Sequence, residues 1–153
     1  MFSIDRVHGD GLARVRAFYE QAGYGGGASA ADIVLAAMAG ERMIGVVRLC
    51  EENGVTVLRG MQVAPAFQRQ GIGRALLERC LPWLDRGEAF CLPYDHLLGF
   101  YAGTGFTPVQ PECLPGFLRR RMAGYLASGQ RVLAMRRPGP AYMPNKSLAS
   151  RMA

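Results

Sequence analysis

In the first part of the chain, the spacing of the apolar residues changes from one segment to the next. Residues 2–7 alternate apolar and polar positions, which is typical of a half-buried strand. Asp10 is placed to cap a helix that follows it. The apolar positions of that helix lie on one face: Leu12, Val15, Tyr19 and Ala22, with Phe18 beside them. Four glycines within residues 23–27 end the helix and predict a loop.

Three apolar runs then predict a set of antiparallel strands. They are Ile33–Ala39, residues 43–50 and Val55–Val63. The first pair is joined by Gly40-Glu41-Arg42 and the second by Asn53-Gly54, which is a strong hairpin signal.

The second half of the chain alternates helical and strand patterns. Residues 71–84 have a helical period, and Pro82 should kink or end that helix. The remaining elements are a strand at 89–92, a helix from an Asp95 cap through Ala102, a strand at 106–109, a helix at 115–128 with Leu118, Met122, Tyr125 and Leu126 on one face, and a strand at 131–137. A strand–helix–strand unit needs a right-handed crossover and parallel strands. The pattern therefore predicts one α+β domain over residues 1–137 and a tail over 138–153.

Composition excludes several classes of protein. The chain has 153 residues, of which 50% are hydrophobic and 20% charged, so it is neither disordered nor fibrous. No apolar run approaches the roughly 18 residues of a membrane span. Residues 1–5 lack the plan of a secretory signal. We therefore expect a cytoplasmic protein with no membrane partner.

The positive charge is concentrated at the C-terminal end. Residues 1–112 carry 10 Arg and 12 acidic residues, a net charge of −2, whereas residues 113–153 carry 7 Arg, one Lys and no acid, a net charge of +8. This placement disfavours a nucleic-acid partner, which needs basic residues across a face. Either a solvated tail or a segment that meets an anionic ligand or partner explains it. Tyr142 and Met143 in the tail could also pack on a second copy, as in a homodimer.

The four cysteines, Cys50, Cys80, Cys91 and Cys113, have no zinc-ligand spacing and no C-x-x-C pair. We interpret them as buried, reduced thiols and expect no metal site.

The most informative segment runs from residue 61 to residue 77. A strand leads through a Pro-containing turn and Gly71-Ile72-Gly73 into a helix. The first N–H groups of a helix have no partner within it, and the helix dipole favours negative charge there. Glycine allows close backbone approach, and Arg69 and Arg74 can add charged hydrogen bonds. The segment is therefore either an anion cradle or an ordinary strand–helix turn. It lacks the third glycine of a dinucleotide fingerprint and the Gly-Lys-Ser/Thr of a P-loop.

Two motifs in this chain resemble those of the GNAT N-acetyltransferase superfamily. Gln68-x-x-Gly71-x-Gly73, after Val63-x-Pro65, is similar to the family's pyrophosphate-binding motif. Phe100-Tyr101 followed by Gly105-Phe106 is similar to its second signature. The element order also matches the family from about residue 2 to residue 137.

The resemblance implies the GNAT acyl-CoA N-acyltransferase fold, of α+β class. Its mixed, mostly antiparallel sheet has about six to seven strands, is splayed between the fourth and fifth strands, and is flanked by helices. It also implies acetyl-CoA as co-substrate, with the pantetheine arm paired to the backbone of the fourth strand and a backbone N–H near Val63 facing the thioester. The cofactor contacts that it implies are Met61, Gln62, Val63, Gln68, Arg69, Gln70, Gly71, Ile72, Gly73, Arg74 and Tyr94.

Tyr101 matches the family's general acid, which protonates the departing thiolate. The alternative is a tyrosine that only packs in the core. Tyr94 stands where many members have an asparagine that contacts the cofactor, so this contact is a departure from the pattern. No general base is evident: Glu88 is offset from the expected position, and His96 fits a surface position better than a proton relay.

The resemblance places the acceptor pocket at residues 23–27, Arg48, Arg59 and the segment 107–130. Arg59 in an apolar strand needs a partner, which is either a structural ion pair or an acceptor carboxylate. The run Arg119-Arg120-Arg121 is either a solvated face or a contact for an acidic group.

Three classes of function remain open. The first is transfer of an acetyl group from acetyl-CoA to a primary amine of a small molecule, by direct attack in a ternary complex. The second is acetylation of a protein or peptide amine. The third is a non-catalytic acyl-CoA-binding module.

Overall fold

The computed structural model describes residues 1–140. The chain divides into two compact units, Met1–Pro82 and Trp83–Ala153. The predicted tail contacts of Tyr142 and Met143 lie outside the described residues. A single domain over residues 1–137 stays a prediction.

The first unit contains four strands with helices between and after them. Its elements are β1 (Ser3–Arg6), α1 (Gly11–Gln21), β2 (Ile33–Ala39), β3 (Arg42–Glu52), β4 (Val55–Val63) and α2 (Ile72–Arg79). The short helix α3 follows at Leu81–Leu84. The break between α2 and α3 lies just before Pro82, as the sequence predicts, because proline cannot donate the backbone hydrogen bond that a continuous helix requires.

The strands of the first unit form antiparallel neighbours in chain order. β1 pairs with β2, β2 with β3, and β3 with β4. Asn53 and Gly54 have φ angles of 49° and 83° at the β3–β4 connection. Two left-handed residues match the twist of the flanking strands, so this short turn fixes the register of the hairpin.

The core on one face of this sheet is built by α1. Leu12, Val15 and Tyr19 are buried and pack with apolar side chains of β2 and β3. Ala22, predicted on the same face, is exposed because the helix ends at Gln21. Asp10 occupies the N-cap position as predicted, but it has helical backbone angles and its side chain makes no capping hydrogen bond.

The second unit has three short strands in the order β5, β7, β6. The elements are β5 (Ala89–Cys91), α4 (Leu98–Ala102), β6 (Thr107–Pro108), α5 (Gly116–Ala127) and β7 (Met135–Arg137). Both strand pairs are antiparallel. β7 begins four residues later than predicted, since in residues 131–134 only Val132 makes a bridge, to Tyr94.

Several side chains in the second unit differ from their predicted roles. The carboxylate of Asp95 does not cap a helix but accepts a hydrogen bond from Arg131 at 3.1 Å. α5 buries Leu118 and Met122 as predicted, whereas Leu126 is exposed. A predicted buried thiol, Cys113, is also exposed because it lies in a short 3-10 turn, while the other three cysteines are buried.

None of the helices in residues 1–140 has the length and hydrophobicity that a membrane crossing needs. Within the same residues, no group of three or more His, Cys, Asp or Glu side chains is arranged to hold a metal ion.

Candidate active site

The segment between β4 and α2 folds into an open turn with two left-handed residues. A 3-10 turn at Pro65–Phe67 follows β4, and Arg69 and Gly71 have φ angles of 63° and 82°. The side-chain amide of Gln68 donates to the carbonyl of Val63 at 3.0 Å, which ties the turn back to the end of β4. Gly71 is the N-cap of α2, and no atom lies within 4 Å of where its Cβ would be. The space in front of the helix is therefore open.

The backbone at the start of α2 presents unpaired donors. The N–H of Ala75 makes the first bond of the helix, to the carbonyl of Gly71 at 3.0 Å. The three N–H groups before it, those of Ile72, Gly73 and Arg74, therefore have no partner within the helix. The side chains of Arg69 and Arg74 are exposed nearby in sequence. This arrangement of amides, helix dipole and two cations suits a phosphate or diphosphate.

The strand that leads to this turn is irregular. Val46 pairs with Gln62 and Arg48 pairs with Arg59, so Gly60 and Met61 both lie opposite the single residue Val47. An extra residue in one strand is a β-bulge, which locally removes ladder pairing and turns the backbone. Gly60 has a φ of 66°, a conformation that glycine adopts without steric cost. Met61, Gln62 and Val63 beyond the bulge are half-buried.

A buried polar cluster lies on the α1 side of the bulge, and we call it the Arg48 cluster. It consists of Arg48, Tyr19, Tyr24, Asp32 and the backbone of Gly27. Arg48 is 2% exposed. Its Nη1 contacts an Asp32 carboxylate oxygen at 3.1 Å and donates to the carbonyl of Gly27. Its Nη2 donates to the Tyr24 hydroxyl at 3.3 Å.

Aromatic rings complete the surroundings of this guanidinium. Its central carbon lies 5.4 Å from the ring centre of Tyr19 and 6.0 Å from that of Tyr24. A buried cation requires such compensation, because an unpaired charge in the protein interior is unstable. The cluster fixes the glycine-rich loop of residues 23–27 to the middle of β3.

Arg48 and Arg59 were both predicted as acceptor contacts, and the structure gives them different surroundings. Arg59 is half-buried and lies 3.7 Å from a carboxylate oxygen of Glu52, which matches the ion-pair alternative. Arg48 is enclosed by partners from its own chain, as described above. An incoming carboxylate could therefore reach Arg59 far more readily than Arg48.

Tyr101 lies in α4 of the second unit and is 5% exposed. Its ring packs edge-on against Phe100 and Phe106, with centroids 4.9 and 6.1 Å away. The loop after α4 is fixed by Arg137, whose Nε donates to the carbonyl of Thr104 at 2.7 Å and whose Nη2 contacts Asp85 at 2.6 Å. The motif from Phe100 to Phe106 thus forms one packed piece.

The other sequence-predicted groups of the second unit are more exposed. Tyr94 is 49% exposed and stacks on His96, with ring centres 5.9 Å apart. The His96 side chain is 73% exposed, as expected for a surface histidine. Glu88 is bound by Arg136 at 2.5 Å and is therefore engaged in an ion pair.

Sequence reasoning missed the partners of the Arg48 cluster. Tyr19 was predicted only as a core residue, Tyr24 only as part of the loop of residues 23–27, and Asp32 was given no role. The signal that was available is Gly60, since a glycine in the interior of a strand often marks a bulge or a close approach.

Comparisons with known proteins bear on the family and the fold of the chain. A family model described as an acetyltransferase (GNAT) domain matches residues 14–119. No curated protein matches the sequence significantly.

Solved structures of similar fold cover most of the chain. The ribosomal-protein-S18-alanine N-acetyltransferase from Escherichia coli has a TM-score of 0.65 and 18% identity, covering 90% of this chain and 94% of that one. An acetyltransferase of the GNAT family from Staphylococcus aureus has a TM-score of 0.61 and 13% identity, covering 90% and 99%.

A third similar structure is a longer protein. N-acetylglutamate synthase from Neisseria gonorrhoeae, complexed with coenzyme A and N-acetyl-glutamate, has a TM-score of 0.65 and 18% identity, covering 90% of this chain. The present chain spans about a third of that protein, 35% of its length. These likenesses confirm the α+β fold class predicted from the sequence. With a family model that matches more than half of its residues, the chain belongs to the GNAT acetyltransferase family.

Proposed function

We propose that the protein transfers an acetyl group from acetyl-CoA to a primary amine of a small molecule. The observation that carries this proposal is the open helix start at Gly71, which presents three backbone donors and two exposed arginines directly after β4. Family membership supports an acyltransferase, and one similar structure was solved with coenzyme A.

The cofactor contacts in the first unit divide into two groups. The N–H groups of residues 72–74 would hold the pyrophosphate, with charge from Arg69 and Arg74 and the shape of the turn set by Gln68, Gln70 and Gly71. The backbone of Met61, Gln62 and Val63 would pair with the pantetheine arm as a further strand does. Tyr94, which is 49% exposed, stays a predicted cofactor contact.

The proposed chemistry is direct attack in a ternary complex. The amine nitrogen forms a bond to the thioester carbon, and the C–S bond then breaks to release the thiolate. A backbone donor on β4 stabilises the oxyanion of the tetrahedral intermediate, which is worth about 2.7–4 kcal/mol for such a donor.

Tyr101 is the proposed proton donor to the departing thiolate. A tyrosine pKa near 10 and a thiol pKa near 8.5 make this transfer only mildly uphill. The proton lost by the amine returns to Tyr101 through solvent, which closes the cycle. Replacing Tyr101 by Phe should lower kcat sharply and leave the Kd for acetyl-CoA unchanged. Unchanged kcat would contradict this role and support the core-packing alternative.

An acceptor that carries a carboxylate fits Arg59. Its ion pair with Glu52 is long, at 3.7 Å, and its two side chains are 27% and 22% exposed, so it can exchange partners at little energetic cost. Arg59→Ala should then raise KM for a carboxylate-bearing acceptor and leave KM for acetyl-CoA unchanged. Equal effects on an uncharged amine would contradict this assignment.

A panel assay tests the function as a whole. The protein is incubated with acetyl-CoA and polyamines, amino acids, aminoglycosides or peptides, and thiol release is measured. Turnover with a small amine supports the proposal, and turnover with peptides alone selects the protein-acetylating alternative. Tight coenzyme A binding without any turnover would indicate a non-catalytic binding module.

Calorimetry with coenzyme A tests the cradle directly. Replacing both Gly71 and Gly73 by Ala should weaken binding by at least tenfold, because side chains then occupy the approach to the amides. Gly40→Ala is the matched control, since Gly40 also has a positive φ, 61°, and open space around it. Equal affinity for coenzyme A in the wild type, the double variant and the control would contradict the proposed cradle.

A further inference from the structure

The bulge of β4 is held by a side chain from a distant part of the sequence. The hydroxyl of Tyr19 donates to the carbonyl of Gly60 at 2.8 Å, across 41 residues of sequence. Tyr19 is 1% exposed, so this bond is shielded from water. A Cβ on Gly60 would overlap the Tyr19 hydroxyl and lie 3.2 Å from Nε of Arg48. Glycine at position 60 is therefore what allows the tyrosine to reach the backbone.

The Tyr19 hydroxyl is the donor in this bond, because a carbonyl oxygen only accepts hydrogen bonds. The guanidinium of Arg48 lies over the ring of the same tyrosine, with its central carbon 5.4 Å from the ring centre. Burial also raises the pKa of Tyr19, which outweighs the opposite effect of Arg48. The hydroxyl consequently stays a donor throughout the neutral pH range.

This bond acts on the next residue of β4 through the peptide group. The carbonyl of Gly60 and the N–H of Met61 belong to one planar trans peptide, so fixing the direction of one fixes the direction of the other. A hydrogen bond accepted by the carbonyl also polarises the N–H of the same peptide. Gly60 and Met61 share one partner residue in β3, so the regular register of the ladder is interrupted at this peptide.

We propose that Tyr19 is a positioning residue for acyl transfer, and that it orients and polarises the Met61 N–H as the donor to the thioester oxyanion. This inference rests on the proposed acetyltransferase function and adds a residue to it. Arg48 supports the tyrosine by packing over its ring. The substrate carbonyl gains negative charge only as the amine attacks, so the effect belongs to the transition state.

The kinetic test compares wild type with Tyr19→Phe, using acetyl-CoA and the panel amine that gives the fastest thiol release. Loss of an entire oxyanion donor lowers kcat about 100- to 1,000-fold, and we expect loss of its positioning hydroxyl to lower kcat about tenfold. KM for acetyl-CoA and Kd for coenzyme A should stay within about twofold, because the cradle is untouched.

Val15→Ala is the control for a merely structural effect. Val15 lies one turn before Tyr19 on α1, is fully buried, and belongs to the same core cluster. Its truncation should lower the thermal midpoint and leave kcat unchanged at a temperature well below that midpoint. If Val15→Ala lowers kcat as much as Tyr19→Phe does, the effect is general loosening of α1 and the inference is wrong.

A spectroscopic test does not need an acceptor. In nitrogen–proton correlation spectra, the amide nitrogen of Met61 should move upfield in Tyr19→Phe, because the carbonyl before it has lost its hydrogen bond. If the Met61 resonance does not move, the inference is wrong. It is also wrong if the wild type turns over an acceptor and Tyr19→Phe has the same kcat. A wild-type protein that turns over no acceptor would overturn the proposed function, and the positioning role with it.

Discussion

Two regions of the molecule place polar and charged groups in opposite environments. They are the cradle, which consists of the N–H groups of residues 72–74 with Arg69 and Arg74, and the Arg48 cluster. In the cradle, the donors are backbone N–H groups, the arginines are exposed, and the space in front of Gly71 is open. In the Arg48 cluster, one guanidinium is enclosed by a carboxylate, a carbonyl and two aromatic rings. An exposed, uncompensated set of donors is available to a ligand, whereas a buried, compensated cation is a structural part of the protein. The difference teaches that charge alone does not identify a binding residue in this chain.

The largest expected effect comes from removing the buried cation. Arg48→Met should lower the free energy of unfolding by about 3–5 kcal/mol, because the carboxylate of Asp32 loses its cation and keeps only the backbone N–H of Ser29. Arg59→Met is the matched control, since Arg59 lies opposite Arg48 in the β3–β4 ladder and its ion pair is longer and more exposed than that of Arg48. For Arg59→Met we expect the free energy of unfolding to fall by about 1 kcal/mol or less. Urea unfolding followed by circular dichroism measures both, and equal losses would remove the distinction between the two arginines.

The second effect concerns the glycine that the cluster packs against. Gly60→Ala should lower stability by about 2–4 kcal/mol, since a left-handed residue is strained and its Cβ would overlap the Tyr19 hydroxyl. Gly54→Ala has the same kind of backbone strain, with a φ of 83° and no atom within 4 Å of the added Cβ. It should lose only about 1–2 kcal/mol. Thermal unfolding of the two variants compares them, and similar midpoints would show that the contact with Tyr19 is not tight.

The third prediction uses pH to test whether the Arg48 cluster is dry, through the neighbouring thiol of Cys50, whose sulfur lies 3.8 Å from Nη1 of Arg48. Burial raises the pKa of Cys50 to about 12, although nearby Arg48 acts in the opposite direction. The folded chain therefore keeps a proton that the unfolded chain releases above about pH 9, so stability is full below that pH and decreases as the pH rises toward 12.

Above about pH 9, this thiol should account for roughly 1 kcal/mol of lost stability per pH unit. Cys50→Ala should reduce the slope of unfolding free energy against pH by that amount. Cys113→Ala removes an exposed thiol and should leave the slope unchanged. Equal slopes in wild type and Cys50→Ala would mean that water reaches the cluster.

The smallest predicted effect is a difference in salt dependence between coenzyme A binding at the cradle and the contribution of Arg48 to stability. Raising NaCl from about 50 to 500 mM should weaken the Kd for coenzyme A several-fold, because exposed charges are screened. The stability difference between wild type and Arg48→Met should change by less than about 0.5 kcal/mol, because a buried pair is screened little. Calorimetry and urea unfolding at both salt concentrations give the comparison. A salt-sensitive Arg48 contribution would place that pair in contact with solvent.

Local signals made most of the fold and the cradle predictable. The bounds of β2 and β4 agree with the sequence pattern, and α2 begins after the predicted glycine, because strand period, turn residues and helix starts are set by neighbours in sequence. The β7 start was predicted too early, since an apolar run does not reveal where pairing begins.

The Arg48 cluster was not predictable in the same way. Asp32 lies 16 residues from Arg48, and Tyr19 lies 41 residues from Gly60. Only the folded sheet brings such groups together, so no spacing rule identifies them. Gly60 inside an apolar strand is the one local signal of the bulge, and no spacing rule connects it to Tyr19 or Arg48.

The packing at Gly60 also restricts how this protein can change over generations. The Tyr19 hydroxyl and a side chain at position 60 would compete for one small volume. A lineage that acquires alanine at position 60 must therefore shorten or redirect residue 19, and a reversal at one position becomes deleterious without the other. Positions 19 and 60 should therefore covary, and an alignment of related sequences would show this association before any variant is assayed.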